Sequence, residues 1–98
     1  MANWRSDATE QLCKAFLSLK TQEECYAFLE DVCTIREILD LSQRLSVAGM
    51  LREGTSYSAI SRATGASTAT ISRVSKCCEY GAGGYKTVLD RMYGEEQP

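Results

Sequence analysis

Apolar residues recur at helical spacing along most of the chain. Leu12, Phe16 and Leu19 follow the i, i+4, i+7 series of an amphipathic helix, and a second series runs from Cys25 to Val32. A longer series extends from Ile35 to Leu51. No stretch of useful length alternates apolar and polar residues as a half-buried strand would. The pattern therefore predicts an all-α fold of six helices without a sheet.

Capping residues mark where the second and third helices begin. Thr21 is followed three residues later by Glu24, and Thr34 by Glu37, which is the spacing of a capping box. A side-chain oxygen at such a position satisfies a backbone N–H that the first helical turn leaves free. Between the first two helices, the pattern leaves open whether the chain stops or only bends over residues 19–22.

Glycines divide the C-terminal half into shorter segments. Gly54 suits the end of the third helix, and the run from Gly81 to Gly84 separates two short helices from a last amphipathic one. A chain of 98 residues is expected to form one domain. We therefore predict a single domain over 1–98 with three parts, namely dimerising helices over 6–54, a helix-turn-helix over 55–79 and a C-terminal helix over 84–93.

The N-terminal helices carry more apolar side chains than a small bundle buries. Phe16, Tyr26 and Phe28 add to the apolar stripe from Ile35 to Leu51. These residues either fold back on the C-terminal helices or pack against another chain. We favour the second interpretation and predict a homodimer, because the acidic N-terminal half shows no other role.

Composition narrows the classes of function. Hydrophobic residues make up 44% of the chain and charged residues 24%, and histidine is absent, which removes the commonest general base and the commonest metal ligand. The five cysteines are odd in number and lack Cys-x-x-Cys spacing, so neither a disulfide framework nor a zinc site is expected. We expect reduced thiols, no metal, no cofactor and no enzymatic activity.

No segment predicts export or membrane insertion. The first seven residues are mostly polar, no apolar signal-peptide core follows them, and no apolar run approaches the roughly 20 residues that span a bilayer. Together with the cysteine pattern, this predicts a cytoplasmic protein with no membrane partner.

Charge is distributed unevenly between the two halves. Residues 1–43 contain four basic and eight acidic side chains, a net charge of −4; residues 44–98 contain seven basic and five acidic ones, a net charge of +2. The stretch 57–78 contains Arg62, Arg73 and Lys76 and no carboxylate. Such a local positive field can attract phosphate although the protein is acidic overall.

The segment 57–76, YSAISRATGASTATISRVSK, has the spacing of a helix-turn-helix. With Gly65 at the turn, Ile60 lies five residues before it, and Ile71 and Val74 lie six and nine residues after it, where two crossing helices touch. Glycine accepts the positive φ of a tight turn without steric cost. The spacing therefore predicts two short helices that cross at these residues.

The second helix of this pair has the chemistry of a recognition helix. Its exposed face carries short hydroxyl and methyl side chains that let it approach base edges closely, and Ser67 or Thr68 can cap it. The N-terminal residues of a recognition helix usually read bases, whereas its cations meet phosphates. The predicted DNA-binding residues are Arg62 on the preceding helix, then Ser67, Thr68, Ala69, Thr70, Ser72, Arg73 and Lys76.

This region resembles a known family. The sequence from Gly65 to Arg73, GASTATISR, matches the GAxxATIxR core of the Trp repressor, and the order of long helix, Leu-Arg-Glu-Gly, helix-turn-helix and final helix is similar too. The resemblance runs from Leu12 to Met92 and is to the Trp repressor-like group known as YerC/YecD. It implies a six-helix all-α fold, an interlocked homodimer, and a repressor that binds double-stranded DNA sequence-specifically through the major groove.

The resemblance also implies where a corepressor would bind. In the Trp repressor two arginines hold L-tryptophan. The motif places one of them at Arg73, and the resemblance implies that the other corresponds to Arg44 in the long helix. The family has glycine directly after the arginine that corresponds to Arg73, whereas this chain has Val74, whose isopropyl group would occupy the space of the indole ring. We therefore predict that L-tryptophan is not a ligand, and that another effector or none takes its place.

Other interpretations stay open on the sequence alone. The helix pair could bind a protein instead of DNA, or could be the DNA-binding piece of a transposase or a replication initiator. Cys77 and Cys78 end the recognition helix, so a regulator that responds to oxidation without a small-molecule corepressor is a further alternative. Salt dependence separates DNA binding from protein binding, because DNA affinity falls steeply with salt whereas the affinity of an apolar protein interface barely changes.

Overall fold

The computed structural model describes residues 3–94, and all of its regular structure is helical. In chain order the helices are α1 (Asp7–Ser18), α2 (Gln22–Val32), α3 (Ile35–Arg52), α4 (Tyr57–Thr64), α5 (Thr68–Tyr80) and α6 (Gly84–Tyr93). The predicted six-helix all-α fold is thereby confirmed. Within the described range, every helix is too short or too polar to cross a membrane.

The chain forms two compact units, residues 1–38 and 39–98, and α3 runs from the first into the second. The first contains α1, α2 and the start of α3, and the second contains the remainder of α3 with α4, α5 and α6. The predicted single domain with dimerising, helix-turn-helix and C-terminal parts stays a prediction.

Hydroxyl caps begin the helices of the first unit. Thr21 Oγ1 accepts a hydrogen bond from the Glu24 N–H at 3.1 Å, and Thr34 Oγ1 accepts one from the Glu37 N–H at 3.1 Å. The Glu37 carboxylate accepts the Thr34 N–H at 2.8 Å, whereas the Glu24 carboxylate accepts the N–H of Lys20, one residue before the cap, at 2.8 Å. The helix therefore ends after Ser18 and a new one begins at Gln22, which resolves the alternative that the sequence left open between a stop and a bend.

Neither α1 nor α2 has a buried residue. Phe16 and Phe28 meet edge to face with their ring centroids 5.3 Å apart, yet Phe16 remains 45% exposed. Leu17 and Tyr26 are 84% and 58% exposed. An aromatic pair of this kind contributes only about 0.5–1.5 kcal/mol beyond its buried area. The first unit therefore leaves most of its apolar surface in contact with solvent.

The second unit has a closed apolar core. Side chains from all four of its helices and from the turn between α4 and α5 are no more than 3% exposed, and each buried Val, Leu or Ile stabilises the fold by about 1.5–3 kcal/mol. These residues are Val47, Ala48, Ile60, Ala66, Ile71, Val74 and Leu89. The core holds the α4–α5 pair against α3 and α6.

An ion-pair cluster links the end of α3 to α6. The guanidinium of Arg52 lies 3.1 Å from the Asp90 carboxylate and also donates a hydrogen bond to the Gly94 carbonyl. Lys86 reaches the same carboxylate at 2.8 Å. The hydrogen bond from Lys86, with the charges of Lys86 and Arg52, holds the pKa of Asp90 below its usual value against an opposing desolvation effect.

Candidate nucleic-acid interface

The α4–α5 pair turns at a glycine in the left-handed conformation. Gly65 has φ 76° and ψ 3°, and its N–H donates to the Ser61 carbonyl at 2.8 Å, which closes the end of α4. Ile60 and Ile71 are fully buried and Val74 is 1% exposed. The prediction that these three side chains lie where the helices cross is confirmed, because all belong to one core.

Side-chain hydrogen bonds fix this turn in place. Gln43 of α3 donates from Nε2 to the Thr64 carbonyl at 3.1 Å, and Ser61 donates from Oγ to the Ala66 carbonyl at 2.9 Å. The Ala66 N–H donates to Thr64 Oγ1 at 3.1 Å. Sequence reasoning missed these positioning residues. Gln43 lies 21 positions before its partner, so no local spacing could have indicated it.

Ser67 caps α5, the predicted recognition helix. Its hydroxyl accepts the Thr70 N–H at 3.1 Å and donates to Thr70 Oγ1 at 3.1 Å. The single hydroxyl hydrogen of Ser67 is therefore already used, and Thr70 Oγ1 already accepts one hydrogen bond. Of the two capping residues that the sequence allows, Ser67 occupies the cap and Thr68 is the first residue of the helix.

The other predicted DNA-contacting residues differ in exposure. Thr70 and Ser72 are partly buried; the exposed ones are Arg62, Thr68, Ala69, Arg73 and Lys76. Within residues 3–94, no carboxylate lies within ion-pair distance of the three cations in this set. The charges of these cations are therefore not neutralised by neighbouring acidic side chains.

The predicted effector residues occupy different environments. Arg44 is partly buried and lies close to the Tyr85 hydroxyl, whereas Arg73 is exposed. Burial raises the pKa of Tyr85, and the cation of Arg44 partly offsets that rise. Val74 is part of the apolar core, so packing alone explains a valine at this position.

The vicinal cysteines at the end of α5 are exposed free thiols. Desolvation raises the pKa of Cys78, and the nearby Cys77 and Glu79 raise it further. A raised pKa lowers the fraction of reactive thiolate at neutral pH. The redox-responsive alternative stays a prediction for these two exposed thiols.

The sequence matches known proteins over most of its length. A sequence model of the Trp repressor protein family matches residues 7–93. The Bacillus subtilis (strain 168) protein YerC is 56% identical over 88 residues, which cover 90% of this chain and 85% of YerC.

Two crystallised proteins have closely similar structures. A TrpR-like protein from Eubacterium eligens is 55% identical with a TM-score of 0.89, over 95% of this chain and 96% of that one. A protein from Staphylococcus aureus is 47% identical with a TM-score of 0.89, over 95% of this chain and 93% of that one.

Proposed function

The chain belongs to the Trp repressor family of helix-turn-helix DNA-binding regulators, in the group that includes YerC, and we propose that it represses transcription by inserting α5 into the major groove of a specific DNA sequence. The observation that carries this proposal is the surface of α4 and α5. It combines exposed short side chains with the cations Arg62, Arg73 and Lys76, which have no ion-pair partner among residues 3–94, and residues 54–78 contain no carboxylate.

This surface suits both parts of DNA recognition. The small side chains at the start of α5 allow the helix backbone to approach base edges. Arg73 and Lys76, one and two turns further along, can meet phosphates, as can Arg62 on α4. A carboxylate on this surface would instead be repelled by the phosphate backbone.

We propose that the protein binds DNA as a homodimer. The exposed apolar side chains of α1 and α2 need a partner surface, and a second copy of the chain supplies one of matching chemistry. A two-fold dimer would present two recognition helices about 34 Å apart, one turn of DNA, and would therefore prefer a palindromic site. Sedimentation should give a dimer at micromolar concentration, and a stable monomer there would exclude this assembly.

We further propose that the protein acts without L-tryptophan, without an enzymatic activity and in the cytoplasm. The proposal on L-tryptophan is supported by Val74, which is buried and stands where the Trp repressor has the glycine that makes space for the indole ring. A DNA-binding regulator acts in the compartment that holds the DNA. No catalytic pair of residues is needed for this role.

Selection of binding sites from random duplexes tests the proposal. The selected duplex should be palindromic, and its affinity, measured by fluorescence anisotropy between 50 and 200 mM salt, should fall steeply because bound phosphates release counterions. Arg73→Ala should flatten the plot of log affinity against log salt by about 0.9 if the arginine contacts one phosphate. Arg91→Ala is the matched control, since it removes the same charge from an exposed position on α6.

Two results would contradict the proposal. One is a selection that enriches no duplex over the starting pool. The other is equal loss of affinity in Arg73→Ala and Arg91→Ala, because a response to total charge alone would mean that α5 is not the docking surface. An interaction that barely responds to salt would instead favour a protein-binding module.

A further inference from the structure

Gln43 makes a polar contact between α3 and the α4–α5 pair. Its Nε2 donates to the Thr64 carbonyl at 3.1 Å, and both residues are partly buried. Within residues 3–94, no other side-chain hydrogen bond connects α3 with α4, α5 or the turn between them. Thr64 is the last residue of α4, where helix carbonyls lack a partner within the helix. The Gln43 amide therefore supplies a bond that α4 cannot make by itself.

The helix pair is held together by hydrogen bonds of its own. Ser61 Oγ donates to the Ala66 carbonyl at 2.9 Å. Thr64 Oγ1 donates to the Ile60 carbonyl at 2.8 Å and accepts the Ala66 N–H at 3.1 Å. These bonds tie α4 to its turn and do not reach α3. We therefore expect the pair to move as one body, whose direction depends on what joins it to α3.

Apolar packing and the Gln43 bond determine different things. Val47 and Ala48 of α3 share one core with Ile60 and Ile71 of the helix pair. Apolar burial is non-directional, so it holds the pair against α3 without fixing its angle. A hydrogen bond requires a nearly linear N–H···O arrangement at about 3 Å. The Gln43 bond therefore selects one orientation among those that the core allows.

This bond lies beside the start of the predicted recognition helix, because Thr64 precedes Thr68, the first residue of α5, by four positions. Its donor is on α3, which belongs to the segment 6–54 that is predicted to dimerise. A two-fold dimer repeats any change of orientation in both copies, so a loosened helix pair would change the separation of the two α5 helices.

We propose that Gln43 is a positioning residue that fixes the helix pair on α3 and thereby sets the spacing between half-sites that the dimer accepts. This inference rests on the proposed DNA binding and homodimer. It assigns the choice of spacing to one hydrogen bond of the chain itself, at a residue that does not belong to the DNA-facing surface.

Duplexes of altered spacing measure this role directly. In the duplex obtained by binding-site selection, one base pair is inserted at the centre of the palindrome or removed from it. This change turns one half-site by about 34° and shifts it by about 3.4 Å relative to the other. The spacing penalty is the ratio of the affinities for the selected and the altered duplex, measured by fluorescence anisotropy. For the parent chain we expect a penalty of about tenfold, comparable with that of a mismatched base pair.

Two variants remove the donor and keep the approximate size of the side chain. Gln43→Met has no N–H group, and Gln43→Glu has the same shape with a carboxylate that only accepts hydrogen bonds. Each should bind the selected duplex about two- to tenfold more weakly, which is the value of one hydrogen bond. The affinity for the altered duplexes should stay the same, so the spacing penalty should fall by that factor. A side chain that only stabilised the fold would leave the penalty unchanged in the folded protein.

Ser61→Ala is the matched control. It removes a hydrogen bond from the same turn, but one that stays within the helix pair. This variant should be less stable in urea, whereas its spacing penalty should equal that of the parent chain. Circular dichroism checks that every variant is folded at the temperature of the binding assay.

The outcomes separate this inference from the proposed function. If no duplex is selected, or if the selected duplex is not palindromic, the proposed function fails and the inference fails with it. If a palindrome is bound but both Gln43 variants keep the parental spacing penalty, DNA binding stands and the inference is overturned, because core packing alone would set the spacing. The inference is also overturned if Ser61→Ala lowers the penalty as much as Gln43→Met does.

Discussion

Replacement of Gly65 by alanine should destabilise the helix-turn-helix through the backbone alone. A Cβ atom at this position would lie 4.0 Å from Gln43 Nε2, which is an ordinary contact. The φ of 76° is in the left-handed region, where a residue with a Cβ costs about 1–2 kcal/mol. We therefore expect Gly65→Ala to lower the free energy of unfolding by that amount. Gly65→Asn should lower it less, because asparagine tolerates this conformation.

Gly49 provides a control of the opposite sign. A Cβ atom there would also meet its nearest neighbour, Leu89 Cδ2, at 4.0 Å, so the two sites have similar space. Gly49 lies inside α3, and alanine is favoured over glycine in a helix interior by about 1 kcal/mol. Gly49→Ala should therefore raise the free energy of unfolding, although both substitutions add the same methyl group.

Urea unfolding monitored by circular dichroism measures both changes. All variants are compared at one protein concentration, because dimerisation would make the stability depend on concentration. On heating, each kcal/mol should shift the Tm by about 4–8 °C for a domain of this size. The reasoning would be refuted if Gly65→Ala were as stable as the parent chain, or if both alanine variants shifted in the same direction.

Three further predictions follow from individual contacts. Ser67→Ala should cost about 1 kcal/mol in urea unfolding by removing the cap of α5, whereas Ser67→Asp should restore the stability but weaken duplex binding in anisotropy, because it adds a carboxylate to the DNA-facing surface. If Ser67→Ala and Ser67→Asp bound the duplex with equal affinity, the proposal that this surface faces DNA would be contradicted. The pKa of Asp90 is lowered first by the hydrogen bond from Lys86, so its stabilising contribution is present at neutral pH and is lost as the pH falls through the lowered folded-state pKa. The Asp90→Asn variant should therefore be less stable than the parent chain at pH 7, and the difference in stability should disappear in acid. A difference between the urea midpoints of the two proteins that is the same at pH 7 and in acid would contradict this prediction. Calorimetric titration should detect no binding of L-tryptophan at micromolar concentration, and a saturable heat there would show that Val74 does not block the indole.

The helices and their caps could be predicted from sequence because their causes are local. Apolar spacing identifies a buried helical face, and a threonine three residues before a glutamate supplies the hydrogen bonds that begin a helix. The turn at Gly65 is local as well, since only the conformation of one residue is required. The absence of carboxylates over residues 54–78 is likewise visible without coordinates.

The sequence could not determine which hydroxyls remain available at the recognition surface. Ser67, Thr68 and Thr70 are chemically similar, and only the geometry of the cap shows that Ser67 and Thr70 bond to each other. The structure separates the candidate base-reading residues by exposure, since Thr68 and Ala69 are exposed and Thr70 is partly buried. Side-chain competition of this kind depends on rotamers and on the burial of neighbouring residues.

The six helices, the glycine turn and the positive charge of the α4–α5 surface could be predicted from sequence alone, because each depends on residues close together in the chain. Tertiary structure decided what holds that surface in place. The Gln43 to Thr64 hydrogen bond and the Arg52 to Asp90 ion pair join residues 21 and 38 positions apart, and no local pattern encodes such distances. Only packing in three dimensions brings these atoms together. Packing also buries Ile60, Ile71 and Val74 of α4 and α5, whereas α1 and α2 contain no buried residue.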